Sequence, residues 1–222
     1  GYTKKTFVAE SVVLAGKGAG VQVADIINNV DQNLLRDTRN QNSTVGLLQT
    51  LNTYYKRVQD TFGNTGDQSS LSNQINRMQQ EFTTLTTSTE STSQQLAAIQ
   101  SGVDAANNLS RMSQTVQTLR LNADRDIASL VAQMNNDLNT IAQINDQVAL
   151  GVATGKSTGD LEDKRDVALN NLSNILDVRY FENANGTVTV YTGDGTTLVD
   201  STPIKMAHAS LSQVSPSASY AN

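Results

Sequence analysis

From Val103 to Leu150 the apolar residues recur at intervals of three and four. Leu109, Met112, Val116, Leu119 and Ala123 step by 3, 4, 3 and 4, and Ile127, Val131, Met134, Leu138 and Ile141 step by 4, 3, 4 and 3. This spacing predicts a long helix with one apolar seam. Between the two runs, from Leu119 to Val131, every step is four, a stutter that locally relaxes a supercoil. No Pro interrupts the stretch, and no Gly follows Gly102. At 1.5 Å per residue it spans about 72 Å, which suits a stacking or bridging protein better than a compact enzyme core.

The same pattern organises the rest of the chain. Thr6 to Val13 and Val21 to Ile26 are β-branched and short, with Gly16-Lys17-Gly18-Ala19-Gly20 between them, and read as extended segments joined by a flexible turn. Asp31 is placed to cap a helix that begins at Leu34 and Leu35 and continues through Leu48, Leu51, Tyr55, Val58 and Phe62. Gly63-Asn64-Thr65-Gly66 ends it. A second seam, Leu71, Ile75, Met78, Phe82 and Leu85, starts near Ser69 or Ser70. The Ser/Thr run from Thr83 to Ser93 weakens helix propensity, so a connection is expected between Thr87 and Thr92. Capping-box spacing at Ser91 and Thr92 then starts the helix that leads through Leu96 and Ile99 into the long one, with Gly102 as a possible bend.

After a small-residue loop from Gly151 to Gly159, Asp160 is read as the cap of a fourth helix carrying Leu161, Ala168, Leu172 and Ile175 on one face. Beyond Leu176 the period changes to that of short strands: Val178 to Phe181, Thr187 to Tyr191, Thr197 to Val199 and Pro203 to Met206. Asn185-Gly186 and Gly193-Asp194-Gly195 supply the turns. Ala209 to Asn222 is Ser-rich and unpatterned, and reads as a linker or the start of a further domain. The expected fold is mainly α, an elongated bundle of long antiparallel helices with heptad-like seams. A small β region lies at its C-terminal end and short extended segments at its N-terminus. The expected divisions are residues 1–27, an extended segment packing on the helical domain; 28–176, the long-helix bundle; and 177–222, a β-hairpin region opening a truncated β domain.

Composition narrows the function. Ser, Thr, Asn and Gln make up about two-fifths of the 222 residues, well above ordinary usage. The net charge is -5 with no clustered Lys and Arg, so neither nucleic acid nor an anionic membrane is an expected partner. With no Cys, disulfides, thiolate metal sites and cysteine nucleophiles are excluded. No run of 18 apolar residues predicts a membrane span.

The candidate chemistry is sparse. Gly151-Val152-Ala153-Thr154-Gly155-Lys156-Ser157 resembles a phosphate loop, but has three residues between its glycines where four are needed, and a helix in front where a strand is needed. An interhelical loop is the simpler reading. The glycines between Gly16 and Gly20 lack dinucleotide-fingerprint spacing. His208, the one histidine, has no partner in sequence for a relay or a metal and reads as a surface residue. Glu162, Asp163 and Asp166, with Lys164 and Arg165, could pair carboxylates for acid/base work, but acidic residues at a helix N-terminus offset its dipole and mixed charges solvate an exposed face. Asn42, Asn108, Asn171 and Asn185 open glycosylation sequons, three of them in predicted helices. No catalytic, cofactor-binding or metal-binding residues are assigned.

Several segments carry a resemblance. Gly1-Tyr2-Thr3-Lys4 resembles the close of the Asn-rich segment that opens bacterial flagellar rod, hook and hook-associated proteins. Gly20-Val21-Gln22-Val23-Ala24-Asp25-Ile26, followed by Asp31 and Leu35-Arg36, is similar to the next segment of the hook-associated protein 1 family. Asp160-Leu161-Glu162-Asp163-Lys164-Arg165-Asp166, then Leu172-Ser173, Asn185-Gly186-Thr187 and Gly195-Thr196-Thr197-Leu198-Val199, follow that family's order. The Ser/Thr-rich Thr83 to Ser93 departs from it, standing where a Pro-containing turn is expected.

The resemblance implies a secreted, non-catalytic structural part of the flagellum, at the junction between hook and filament. Its implied partners are copies of itself in a ring, the hook protein, the second junction protein and an export chaperone. No cofactor is implied. It also implies a central fragment whose terminal assembly helices lie elsewhere, so the chain alone is expected to be a soluble, elongated monomer. The alternatives are flagellin or another hook-associated axial protein and, from a different class, a glycan or peptidoglycan hydrolase using Asp163 and Asp166.

Overall fold

A computed structural model describes residues 5–14, 17–28, 32–63, 66–215 and 217. The element order is β1 (Lys5–Leu14), β2 (Lys17–Asn28), α1 (Gln32–Phe62), α2 (Leu71–Thr87), α3 (Thr92–Ala153), α4 (Gly159–Ile175), β3 (Val178–Glu182), β4 (Val188–Thr192) and β5 (Thr197–Val199). The fold is mainly α, with a small antiparallel sheet after the last helix and an extended hairpin before the first. Gly1–Leu48 with Ser129–His208 form one compact unit, and Gln49–Ala128 with Ala209–Asn222 form a second.

The helix boundaries follow local chemistry. Gly63, at φ +70°, ends α1 in a conformation that favours glycine, and its N–H donates to the Gln59 carbonyl at 3.1 Å. Ser70 caps α2, its Oγ accepting the Asn73 N–H at 3.3 Å. Ser91 does the same for α3 through the Gln94 N–H at 3.4 Å. The Ser/Thr run stays helical as far as Thr87, where Thr83, Thr84, Thr86 and Thr87 turn their hydroxyls onto carbonyls three or four residues earlier. The long helix begins at Thr92 and runs unbroken for 62 residues, passing straight through Gly102 in sequence. The predicted cap Asp31 and the opening Gly1 to Lys4 lie outside the described residues.

Two boundaries differ from the sequence reading. The N-cap of α4 is Thr158 and not Asp160, because the helix already starts at Gly159. Asp160 and Glu162 therefore sit inside the first turn, where their charge faces the positive end of the helix dipole. The fourth predicted strand, Pro203 to Met206, makes only a single bridge, Val199 to Pro203. Three of its backbone groups are paired otherwise: Ile204 N–H donates to Leu198 O at 2.8 Å, and Met206 exchanges two bonds with the Asn135 side chain at 2.8 and 2.9 Å. A side-chain amide replaces a strand neighbour.

The core of the first unit gathers the second half of α3, α4 and the three-stranded sheet. Met134, Leu138, Ile141 and Ala142 meet Ala168, Leu169 and Leu172, and Val178, Tyr180, Val188, Val190, Leu198 and Val199 close over them. The strands pair antiparallel in the order β3-β4-β5, with Tyr180 opposite Val190 and Val190 opposite Val199. Gly186 at φ +77° makes the first turn, and Gly195 at φ +93° the second. In that second turn Asp194 accepts from the Thr192 hydroxyl and from the Thr196 N–H, bonds that hold its carboxyl below the usual range.

In the second unit α2 and α3 run antiparallel. Gln94 donates to Glu81 at 2.8 Å and, further along, Asn108 to the Ser69 carbonyl at 3.5 Å. The Tyr54 hydroxyl on α1 donates to Asp126 on α3 at 2.7 Å, and burial together with that carboxylate pushes the phenol above its usual value. The described residues after Ala209 make contacts with α3. Val214 is buried, the Leu211 N–H donates to Asp124, and Arg120 donates to the Ser215 carbonyl at 3.1 Å.

The predicted seam is only partly buried. Met134, Leu138 and Ile141 are interior, whereas Leu109 and Ile127 are exposed. On α1, Leu51, Tyr55, Val58 and Phe62 are exposed, and on α2 so are Ile75 and Phe82. Heptad spacing marks these apolar faces, but the described residues of the second unit do not cover all of them.

Candidate functional site

The segment resembling a phosphate loop is a helix terminus. Gly151, Val152 and Ala153 are the last residues of α3. The N–H groups of Thr154, Gly155 and Lys156 donate to the carbonyls of Leu150, Val152 and Gly151 at 3.1, 3.2 and 2.9 Å. Groups committed to closing a helix leave no cradle for phosphate. His208 is half-buried in irregular chain. Among the described residues no group of three or more His, Cys, Asp or Glu is placed to hold a metal ion, and no helix is long and apolar enough to cross a membrane. Of the sequon residues, Asn42, Asn108 and Asn171 lie in helices, Asn108 being buried, while Asn185 sits in the β3–β4 turn and accepts from the Thr187 N–H and hydroxyl.

The charged first turns of α4 are not the solvated face that the sequence suggests. Arg165 is 5% exposed; its Nη1 donates to the Gly186 carbonyl at 2.6 Å and its Nε is buried without a partner. Burial lowers its pKa, opposed by Glu162, Glu182 and Asp166. Glu162 accepts the Thr158 hydroxyl at 2.6 Å, and Asp163 is half-buried. Asp166 reaches Arg39 on α1 at 2.9 Å. The reason for the difference is tertiary: α1, the β3–β4 turn and α3 all meet this helix within the first unit.

The residues the sequence did not single out are the arginines. Arg39 is 2% exposed in the middle of a polar helix. Its Nε donates to Asn170 Oδ1 at 2.7 Å, its Nη2 donates to Asp166 Oδ1 at 2.9 Å, and its guanidinium carbon lies 4.8 Å from the Tyr180 ring centroid. Arg36, one helical turn earlier, lies 5.9 Å from the same centroid. Arg179, next to Tyr180 on β3, joins them around a pocket of about 200 Å³. In sequence the three arginines are spread over more than a hundred residues of an acidic chain, so charge counting gives no sign of the cluster.

The family model for the flagellar hook-associated protein FlgK helical domain matches residues 55–220, most of the chain. The chain belongs to the FlgK family. Flagellar hook-associated protein 1 of Salmonella typhimurium is 30% identical to it across 97% of this chain and 40% of its own length. The protein of the same name from Escherichia coli K12 is 28% identical across 98% of this chain, and that from Bacillus subtilis 22% across 82%. The chain thus spans about two-fifths of the length of these curated FlgK relatives. A solved structure, the flagellar hook junction protein FlgK from Burkholderia pseudomallei, superposes with a TM-score of 0.63 over 77% of this chain and 29% of its own, at 24% identity, and so shares the fold. The FlgK helical-domain match covers the C-terminal part of α1, the helices α2 to α4 and the sheet. The Arg165–Gly186 contact and the exposed seam residues from Tyr55 onward lie within it in sequence.

Proposed function

We propose that this chain is the helical body of a hook–filament junction subunit, a mechanical adaptor of the bacterial flagellum with no catalytic role. The observation that carries it is the match of residues 55–220 to the FlgK helical domain, on a chain that shares its fold with a solved FlgK structure. The working partners are copies of itself in a ring, the hook protein on one side and the second junction protein on the other. An export chaperone acts before assembly, and the site of action is the extracellular flagellum. Two physical features support this reading. The chain has no cysteine and few aromatics, which suits passage through a secretion channel unfolded. The second unit keeps apolar seam residues such as Leu51, Phe62, Ile75 and Phe82 at the surface, and exposed apolar helix faces mark contact surfaces. Polar Ser, Thr, Asn and Gln around them give hydrogen-bonded, wet contacts that a ring can adjust under torque.

The test is complementation. A full-length protein carrying these residues is returned to a cell lacking its own hook-associated protein 1, and filaments are counted by electron microscopy. Retained filaments with normal motility are expected. Filaments that are still shed while the protein is exported normally would refute the reading. Antibody labelling adds a positional criterion: a single band at the hook end is expected, and label along the whole filament would assign the chain to flagellin-like subunits instead.

A further inference from the structure

Among the described residues, the arginine pocket of the first unit has more positive charge than its partners neutralise. Three guanidinium groups, those of Arg36, Arg39 and Arg179, line about 200 Å³ together with Val178, Tyr180 and Phe181. Among the described residues the hydrogen-bonded anion on them is Asp166, engaged by Arg39 at 2.9 Å. Arg39 uses Nε and Nη2 on Asn170 and Asp166, and its Nη1 is buried with no hydrogen-bond partner. A buried donor on a charged group is costly to leave unpaired, and stacking on the Tyr180 ring does not satisfy an N–H. The described lining thus combines three guanidinium groups, apolar walls and one unpaired donor.

We propose that this pocket is a carboxylate-binding site, filled by an Asp or Glu side chain of a second copy of the chain. Planar guanidinium groups match a carboxylate in bidentate geometry. Val178 and Phe181 offer apolar surface to the methylene stem of such a side chain, which a bare inorganic oxyanion does not need. The source follows from charge: with 21 acidic against 16 basic residues, a second copy approaching this basic pocket brings an excess of carboxylates. The choice of a second copy rests on the ring-forming reading above; the carboxylate preference does not.

The experiment follows the arginine Nε–H signals of the 222-residue chain by NMR while sodium acetate, sodium sulfate or sodium chloride is added at matched ionic strength. Saturable shifts of the Arg36, Arg39 and Arg179 signals with acetate, absent at Arg77, are expected. Acetate affinity should fall about tenfold or more in the double variant R36Q/R179Q, which spares the buried Arg39. Shifts no larger with acetate than with chloride overturn the site, and tighter binding of sulfate than of acetate overturns the carboxylate class. The source is tested by sedimentation equilibrium at high protein concentration. Self-association that acetate or R36Q/R179Q weakens several-fold is expected. Association that neither one alters, or no association at all, overturns the second copy as donor and leaves a free carboxylate. Failure of these tests does not touch filament attachment, and failed complementation does not touch acetate binding, so the two readings fall separately.

Discussion

Asn145 closes two hydrogen bonds with the backbone of Val188, donating to its carbonyl at 2.7 Å and accepting its N–H at 3.0 Å. A helix side chain thereby serves as the hydrogen-bonding edge for a strand 43 residues away and docks the sheet on α3. Both partners are buried. Removing the amide in Asn145→Ala leaves a donor and an acceptor unpaired without water, and is expected to cost about 2–4 kcal/mol. Asn135, which pairs Met206 in the same way but is only half-buried, gives water access to the orphaned groups. Asn135→Ala is expected to cost about 1 kcal/mol. Urea unfolding of both variants decides the matter, and equal losses would mean that the sheet is not held by this pairing.

Two glycines inside helices should respond to alanine with opposite signs. A Cβ on Gly46 would lie 2.5 Å from the Asn174 carbonyl oxygen of α4, a backbone atom that can move only with its helix. Helix propensity favours alanine by about 1 kcal/mol, but overpacking costs about 1–3 kcal/mol, so Gly46→Ala is expected to destabilise. Gly102 in α3 has no heavy atom within 4 Å of the corresponding position. There the propensity term stands alone, and Gly102→Ala is expected to stabilise by about 0.5–1 kcal/mol. Thermal melts of the two variants moving in the same direction would rule out either the close approach of α1 to α4 or the open surface at Gly102.

The parts of the fold that were legible in the sequence are those with local causes. Ser70, Ser91 and Gly63 mark helix ends because capping and left-handed termination involve neighbours a few residues away. Asn185-Gly186 announces its hairpin for the same reason. What stayed hidden depends on distant partners. Arg39 reads as one more exposed charge until α4 supplies Asp166, 127 residues later in the chain. Arg165 sits in a run that pattern alone assigns to solvent, and its burial depends on the distant Gly186 carbonyl and Asn145 side chain. Pro203 to Met206 has the residues of a strand, yet the amide of Asn135 takes the place a strand neighbour would have held. Period alone likewise cannot tell which part of a heptad seam is covered.

That last distinction is measurable on the seam of α3. Leu138 is fully buried against α4 and the sheet, whereas Leu109, at an equivalent seam position, is 52% exposed. Leu138→Ala removes buried methyl groups from a packed site and is expected to cost about 2–5 kcal/mol. Leu109→Ala is expected to cost about 1 kcal/mol or less. Denaturant midpoints that drop equally would show the seam to be uniformly buried, against the exposure seen here.

Asp137 gives the stability of the first unit a pH dependence of definite sign. It lies on α3, half-buried, with Oδ2 buried and without a hydrogen-bond partner. Burial raises its carboxyl above the ordinary 3.8, and the smaller effect of a hydrogen bond with Asn171 opposes this. A folded-state pKa above the unfolded one means that the folded chain holds the proton more tightly. The group's contribution therefore favours folding at the acid end of the window and is lost as pH rises from the unfolded value through the folded one. Above that window the buried carboxylate is a constant penalty. Asp137→Asn removes the charge while keeping an amide able to bond, so its melting temperature should exceed that of the native chain near pH 7, and the gap should narrow as the pH is lowered toward about 4. A gap that widens on acidification, or a variant less stable at neutral pH, would mean that the Asp137 carboxylate is held by a favourable partner and not strained by burial.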